Sequence, residues 1–174
     1  MKVLITGAAG FIGSNFVRYA MKEHADWEVA VVDKLTYAGH MANLEDVARA
    51  SRFRFHRADI CDAGAIGRIF TEEKPDAVIN FAAETHVDRS IHSAEAAIRT
   101  NVEGTFRVLE AARVAQPRRF VHVATDEVYG SSSGEGFRET DALNPRNPYS
   151  ASKAAGDRLA YAYHVTYGVP AIIT

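Results

Sequence analysis

The sequence predicts an α/β protein in which a doubly wound parallel sheet carries helices on both faces. Two observations predict it: short β-branched runs alternate with longer segments of helical periodicity, and a glycine-rich turn joins the first strand to the first helix. Because crossovers between parallel strands are right-handed, such alternation places helices on both sides of one sheet. We expect residues 1–174 to form a single domain, since this length suffices for one hydrophobic core.

Composition argues against several classes of protein. The chain is 47% hydrophobic and 24% charged, as ordinary globular proteins are, and its net charge of −2 offers no basic surface for nucleic acid. No apolar run approaches the roughly 20 residues of a membrane span, and the N-terminal apolar run is too short for a signal peptide. Cys61 is the only cysteine and the histidines show no metal-ligand spacing. We therefore expect a reduced cytoplasmic protein with no metal site, no nucleic-acid partner and no membrane partner.

The predicted elements follow one another along the chain. We predict strands over residues 3–5, 29–32, 53–55, 77–79 and 120–123, and helices over residues 13–23, 63–73, 94–115 and 152–167. Two polar segments, 34–43 and 131–147, are predicted loops; the second is either a mobile lid or, as we favour, a plain connection. Residues 171–174 begin another apolar strand, so we expect the natural sequence to continue past Thr174.

The first strand runs into a turn that carries three glycines and then into a helix. Gly7, Gly10 and Gly13 allow a tight turn, close approach of the backbone to a pyrophosphate, and close packing of helix against strand. The helix N-terminus, with Phe11 and Ile12, presents free N–H groups and a positive dipole to phosphates. Three glycines also occur in purely structural turns, but their place between a strand and a helix predicts dinucleotide binding in a Rossmann-type fold.

Asp33 ends the second strand, about 20 residues past the last glycine, where an acid can hold the hydroxyls of the adenosine ribose. Its charge would repel a 2′-phosphate, which favours NAD over NADP, although the adjacent Lys34 weakens that preference. Asp59 and Ile60 follow the third strand, where they can meet the adenine ring and Asp59 can accept from its amino group. A role in turn formation is an equally good interpretation of Asp59.

Tyr149 and Lys153 open the last helix, and their spacing of four places both side chains on one helical face. A tyrosine hydroxyl has a pKa near 10, too high for a base at neutral pH. A neighbouring ammonium and a positive nicotinamide would stabilise the phenolate, so that it could take a proton from an alcohol while hydride leaves carbon. Alone, such a pair is more often a solvated surface contact; the dinucleotide turn upstream gives it weight.

Together these features resemble the extended short-chain dehydrogenase/reductase superfamily. The resemblance is carried by the glycine spacing, Asn-Phe-Ala-Ala at 80–83, Thr125, and Tyr149 with Lys153, and it covers the whole chain. It implies that Thr125 hydrogen-bonds the reacting hydroxyl and that Lys153 also holds the nicotinamide ribose.

Asp126 and Glu127 follow the strand over residues 120–123. Neighbours on a regular strand point to opposite faces, so both carboxylates can serve one substrate only if the strand has ended and the chain turns. Otherwise they are solvated loop charges. Thr-Asp-Glu-Val-Tyr-Gly at 125–130 and the segments 33–39 and 82–90 resemble nucleotide-sugar dehydratases that act on dTDP-glucose.

That resemblance implies a reaction in three stages on bound NAD. Tyr149 takes the proton of the sugar's 4-hydroxyl while hydride leaves C4. Glu127, ionised, removes the C5 proton that the new ketone makes acidic, and Asp126, protonated, gives its proton to the departing 6-hydroxyl. Hydride then returns to C6. The two carboxylates must therefore differ in protonation.

The resemblance also assigns residues to roles. The catalytic set is Thr125, Asp126, Glu127, Tyr149 and Lys153. The cofactor set is Gly7, Gly10, Phe11, Ile12, Gly13, Asp33, Lys34, Leu35, Thr36, Asp59, Ile60, Phe81, Ala82, Ala83, Thr85, Thr100, Tyr149 and Lys153. The substrate set is Thr85, Thr125 and Tyr149, and Thr85 stands where family members commonly carry Ser.

The resemblance further implies a homodimer paired through the helices over residues 94–115 and 152–167, whose apolar stripes could equally face the core. Two alternatives to the dehydratase stay open. One is an epimerase or decarboxylase of nucleotide sugars on the same scaffold. The other is a non-catalytic NAD-binding fragment, because the C-terminal part that forms most of the nucleotide-sugar pocket in the family is expected beyond Thr174.

Overall fold

Six parallel strands form one sheet in the order β3-β2-β1-β4-β5-β6. The computed structural model describes residues 1–132, 134 and 136–174. The strands are β1 (Lys2–Thr6), β2 (Glu28–Asp33), β3 (Phe53–Arg57), β4 (Ala77–Asn80), β5 (Arg119–His122) and β6 (Ala171–Ile173). This is the strand order of the Rossmann fold, so the predicted doubly wound sheet is confirmed. The predicted strands differ from the observed ones by only one or two residues at their ends.

Helices connect the strands. They are α1 (Phe11–Glu23), α2 (Ala63–Glu73), α3 (Val87–His92), α4 (Glu95–Ala97), α5 (Thr105–Ala115) and α6 (Pro148–Tyr167). A π-helical segment, Ile98–Gly104, joins α4 to α5, and 3-10 segments lie at Met41–Leu44 and Asp126–Tyr129. The predicted loop over residues 131–147 includes residues 133 and 135, which lie outside the described residues. Among the described helices, none combines the length and the apolar character needed to cross a lipid bilayer.

The core lies on both faces of the sheet. Alternate residues of β1 point in opposite directions, so Leu4 packs with α2, α5 and α6, whereas Val3 and Ile5 pack with α1. Burial on both faces is typical of parallel sheets and confirms the predicted arrangement of helices. The carboxyl ends of the central strands consequently meet at one edge, where polar residues such as Asn80 and His122 end their strands.

The last helix begins earlier than its predicted start at Ser152. Pro148 occupies the first turn of α6. Asn147 and Ser150 form a capping box, in which each side chain accepts a hydrogen bond from the backbone N–H of the other residue. Asn147 accepts from the Ser150 N–H at 2.7 Å and donates its own N–H to the Ser150 hydroxyl at 3.2 Å. This cap fixes Tyr149 in the first turn of the helix and Lys153 one turn later.

The buried carboxylate of Glu73 joins α2 to the strands β1 and β3. Glu73 contacts three basic side chains: Lys2 at 3.4 Å, Arg54 at 3.2 Å and His56 at 2.8 Å. Burial alone would raise the pKa of Glu73, but the hydrogen bond from His56 and the charges of Arg54 and Lys2 outweigh burial and lower it. The ionised carboxylate therefore stabilises the fold, because its pKa is lower in the folded than in the unfolded chain.

Replacing Glu73 with Gln is expected to lower the free energy of unfolding by about 1–2 kcal/mol near neutral pH, as the partners are partly exposed cations. A depressed carboxylate pKa contributes stability that is present above the unfolded pKa and is lost as pH falls through the folded one. The difference between the two proteins should therefore shrink in acid. Urea unfolding at several pH values measures it, with Glu72→Gln, on the exposed face of α2, as the matched control. An equal loss in both variants, or a loss independent of pH, would contradict the assignment.

Candidate functional site

A cavity of about 460 Å³ lies at the carboxyl edge of the sheet. It extends from the glycine turn after β1 to the start of α6, which is where ligands bind in open α/β sheets. The structure brings most of the predicted cofactor residues together in its wall. They are Gly7, Gly10, Phe11, Ile12, Gly13, Asp33, Lys34, Thr36, Ile60, Phe81, Ala82, Ala83, Thr85, Thr100, Tyr149 and Lys153.

The glycine turn has no room for side chains. Gly7 has a φ of +66°, and a Cβ there would lie 2.6 Å from the Ala82 nitrogen. A Cβ on Gly13 would collide with the carbonyl oxygen of Gly7. Phe11 and Ile12, at the first turn of α1, are 83% and 62% exposed beside the cavity. A helix N-terminus approached this closely by bare backbone suits a phosphate group, so the cradle fits a dinucleotide.

Asp33 is built into the turns that surround the cavity. Its two carboxylate oxygens accept from the Ala9 N–H at 2.9 Å and the Leu35 N–H at 2.8 Å. Gly39 approaches so closely that a Cβ there would lie 2.6 Å from Asp33 Oδ1. The side chain is buried but lines the cavity, and each oxygen keeps a lone pair for a ligand hydroxyl.

Two predicted cofactor residues lie outside the cavity wall. Leu35 has a φ of +59° and packs against the core beside α1. Asp59 accepts from the Cys61 N–H at 2.9 Å and lies 3.6 Å from the Lys34 ammonium. Burial would raise the pKa of Asp59, but the Cys61 hydrogen bond and the Lys34 charge outweigh burial and lower it. Asp59 thus lies in a turn, where its carboxylate pairs with the Lys34 ammonium.

The hydroxyl of Tyr149 lies at the far end of the cavity, next to the Thr125 hydroxyl. Burial raises the pKa of Tyr149 above its ordinary value, a hydrogen bond with Thr125 lowers it, and the charges of Glu127 and Asp126 raise it. In the protein alone the net shift is upward, because burial and the charges of Glu127 and Asp126 outweigh the effect of Thr125. The predicted lowering by Lys153 together with a bound nicotinamide stays a prediction.

Lys153 is directed toward the strand that precedes the carboxylates. It is only 4% exposed and donates a hydrogen bond to the Val123 carbonyl at 2.6 Å. Burial lowers the pKa of Lys153 to about 8, and the charge of Asp157 opposes that shift. The ammonium therefore stands at the cavity wall, in reach of a ligand that lies against Val123 and Tyr149.

Asp126 and Glu127 lie on a 3-10 turn beyond the end of β5. The strand ends at His122, so the objection that neighbouring strand residues diverge does not apply. The Thr125 hydroxyl caps the turn by accepting from the Glu127 N–H at 3.3 Å. Glu127 is half-buried and accepts from the Asn147 amide at 3.2 Å, whereas Asp126 is exposed. Thr125, Asp126 and Glu127 are not in the cavity wall but adjoin its Tyr149 end.

Sequence reasoning missed Asn101. This residue is 2% exposed in the π-helical segment, and its amide accepts from the Glu84 N–H at 2.8 Å and donates to the Glu84 carbonyl and to the Ser152 hydroxyl. It therefore ties the loop after β4 to α6, directly beside the cavity. The available signal was a polar residue within an otherwise amphipathic helix, next to the predicted Thr100. π-Helical insertions of this kind are frequent at functional sites.

The fold and this site define a Rossmann-type domain of the extended short-chain dehydrogenase/reductase superfamily. The chain belongs to the GDP-mannose 4,6 dehydratase family, which matches residues 4–174. It is 50% identical to a probable dTDP-glucose 4,6-dehydratase of Sinorhizobium fredii, over 100% of the chain and 52% of the relative. The chain spans about half the length of the curated relatives it matches.

Solved structures show the same similarity. A dTDP-glucose 4,6-dehydratase of Streptomyces venezuelae, crystallised with NAD, superposes with a TM-score of 0.95 at 49% identity, over 99% of this chain and 54% of that one. A UDP-glucose 4-epimerase of Thermus thermophilus in complex with NAD gives a TM-score of 0.89 at 33% identity, over 99% of this chain and 54% of that one. The chain is thus more similar to this dehydratase than to this epimerase.

Proposed function

We propose that this chain forms the NAD-binding part of a nucleotide-sugar 4,6-dehydratase that converts dTDP-glucose to dTDP-4-keto-6-deoxyglucose. One observation carries the proposal: Tyr149 lines one end of a cavity whose other end is a glycine cradle, and the turn that carries Thr125, Asp126 and Glu127 adjoins the Tyr149 end. The identity of about half with dTDP-glucose 4,6-dehydratases supports the choice of sugar nucleotide.

The residues around the cavity fit NAD. The glycine turn and the N-terminus of α1 would hold the pyrophosphate, and Asp33 would hold the adenosine ribose. Because Lys34 is paired with Asp59, its charge is not free to offset the repulsion between Asp33 and a 2′-phosphate, which favours NAD over NADP. When bound, NAD would supply the chemistry of hydride transfer, accepting it from C4 of the sugar and returning it to C6.

The chain's own residues would move the protons. Tyr149 would take the proton of the 4-hydroxyl, with Thr125 aligning that hydroxyl, and the Lys153 ammonium would counter the carboxylates that raise the pKa of Tyr149. Glu127 would then remove the C5 proton, which is acidic only once C4 is a ketone. Asp126, exposed at the substrate side, would protonate the departing 6-hydroxyl.

Incubation of the natural protein with dTDP-glucose and NAD tests this proposal. We expect a product that has lost water and carries a 4-keto group, detected by mass and by its ketone absorbance in alkali. A 4-epimer of unchanged mass, or a product that has lost carbon dioxide from an oxidised sugar, would replace the dehydratase with another activity of the scaffold. Binding of NAD by a protein that leaves the sugar nucleotide unchanged would reduce the chain to a cofactor-binding domain.

We further propose a cytoplasmic homodimer. The apolar stripes of the predicted helices over residues 94–115 and 152–167 were expected to pair subunits. Leu109 and Tyr163 in these stripes are buried in the core, whereas Ile98 is 54% exposed. On α6, Tyr161 and Val165 are also exposed. These exposed apolar residues, rather than the whole predicted stripes, are the surface available to a second copy. Sedimentation of the natural protein measures its oligomeric state.

A further inference from the structure

A buried polar cluster lies beneath the Tyr149 and Lys153 pair, and the proposed chemistry does not use it. It consists of Thr6, Asn80, His122 and Asp157, each at most 3% exposed. These residues come from β1, β4, β5 and α6, so the cluster crosses the sheet below the cavity. Buried polar groups persist when they are paired, which makes their hydrogen-bond directions informative.

The directions follow from one end of the cluster. The Ala82 N–H can only donate, and it lies 3.3 Å from the Thr6 hydroxyl oxygen. The Thr6 hydroxyl in turn donates to Asn80 Oδ1 at 2.5 Å. The Asn80 amide nitrogen therefore donates to His122 Nδ1, 3.2 Å away. Because a neutral imidazole carries one proton, that proton is on Nε2.

The Nε2–H of His122 faces Asp157. The distance from Nε2 to Asp157 Oδ1 is 3.5 Å, both atoms are fully buried, and neither has a hydrogen-bond partner among the described residues. Burial, with the charge of Lys153, lowers the pKa of His122 to about 3, so the imidazole is neutral. The partial positive charge of an imidazole N–H at 3.5 Å favours the ionised form of Asp157 over the protonated one.

Asp157 follows Lys153 by four residues, just as Lys153 follows Tyr149, so the three side chains share one face of α6. Lys153 is buried, which favours its neutral form, and the Asp157 carboxylate opposes this. Gly156 permits the arrangement, because a Cβ there would lie 3.1 Å from His122 Nε2 and 3.0 Å from the Asn101 carbonyl oxygen.

We propose that Asp157, which lies beside His122, is a positioning residue that keeps Lys153 protonated and directed toward the cavity. The inference rests on the proposed function in one respect, namely that the Lys153 ammonium counters the carboxylates near Tyr149. Asp157 would touch neither cofactor nor sugar. It would act through the lysine, and the orientation of its partner His122 is fixed by Asn80 and Thr6 at the floor of the cavity.

Other charges face Asp157 as well. Arg158 lies next to it on α6, and Glu139 and Asp141, from the segment before that helix, line a second cavity together with Asp157. Burial raises the pKa of Asp157 to about 6, while Lys153 and Arg158 oppose this. Asp157 is therefore ionised over the range in which Lys153 loses its proton, so the carboxylate acts on that titration.

Titration of the lysine side chains by NMR, in the chain without cofactor, tests the proposal directly. The sequence has five lysines, and Lys153→Arg assigns the relevant signal. We expect Lys153 to titrate near 8, as its burial indicates, and Asp157→Asn to lower that pKa by about one unit or more. Glu139→Gln removes the same charge nearby and is expected to leave Lys153 unchanged. An unchanged Lys153 pKa in folded Asp157→Asn would overturn the proposal.

A reciprocal variant covers the case in which Asp157→Asn does not fold. Coupling between two titrating groups acts equally in both directions, so Lys153→Met should raise the pKa of Asp157, read from its carboxyl signal, by a similar amount. No change in Asp157 would also overturn the proposal. As pH rises, Asp157→Asn should lose affinity for NAD at a lower pH than the unmodified protein does. That result would link the Lys153–Asp157 pair to function. If the unmodified protein binds no NAD, the proposed function fails, whereas the two titrations still decide the role of Asp157.

Discussion

Tyr149→Phe is expected to lower kcat for dTDP-glucose by about a thousandfold, because the variant lacks the hydroxyl that is proposed to take the proton of the sugar's 4-hydroxyl at the end of the cavity. The substitution keeps the ring and removes only the hydroxyl. Affinity for NAD should consequently change little, since the glycine cradle and Asp33 are untouched. Rapid-quench kinetics in a single turnover, with NAD binding measured separately by calorimetry, distinguish the two effects.

Tyr161→Phe is the matched control for this experiment. It removes the same atom from the same helix, at a side chain that is 53% exposed and away from the cavity. We expect its kcat to equal that of the unmodified protein. A similar loss in both variants would show that the helix tolerates neither change and would remove the evidence for Tyr149 as the base. A Tyr149→Phe protein that turns over normally would refute the proposed mechanism.

The pH dependence of the first step follows from the same environment. Burial and the nearby carboxylates raise the pKa of Tyr149, so without positive charge the phenolate would form only in strong alkali. The lowering of the Tyr149 pKa by Lys153 and a bound nicotinamide stays a prediction, because the upward shift belongs to the protein without cofactor. The spacing of Tyr149 and Lys153 is visible in the sequence, whereas the carboxylates on the facing turn enter only through the tertiary fold.

The fold itself was largely predictable because its signals are local. Most strands are short apolar runs, and the long helices have the periodicity of a buried stripe, so the alternation alone indicated the parallel sheet. The glycine turn was predictable for the same reason: Gly7 needs a positive φ, and Gly13 must lie against Gly7. Such requirements act within a few residues and leave a pattern in the chain.

The unpredicted features depend on contacts between distant segments. The π-helical segment and the role of Asn101 arise because its amide joins Glu84 to Ser152, which lie 17 and 51 residues away. The short helix α3 has too few residues to show a period. The cluster around His122 and Asp157 joins residues 35 positions apart across a strand and a helix, and single histidines and aspartates in a sequence carry no sign of such pairing.

Asp126→Asn is expected to separate the stages of the reaction, slowing loss of water by about two to three orders of magnitude while leaving oxidation at C4 in place. Asp126 is exposed, and its only hydrogen bond among those described is a long one, 3.4 Å, from the Thr125 hydroxyl, so the amide can replace it without disturbing the turn. Glu127 keeps its contact with Asn147 in this variant. Exchange of the C5 proton with deuterated solvent should therefore continue when water loss has slowed.

Glu127→Gln is expected to give the opposite result for exchange of the C5 proton. Its half-buried carboxylate is the group proposed to remove the C5 proton, so this variant should lose both deuterium exchange at C5 and loss of water, because elimination cannot begin. Mass spectrometry of sugar recovered after a single turnover in deuterated buffer measures both quantities. Since the two carboxylates are adjacent in sequence and differ in exposure and in partners, only separate roles explain opposite exchange results. Equal loss of oxidation, exchange and dehydration in both variants would mean that the turn merely supports the fold around Tyr149.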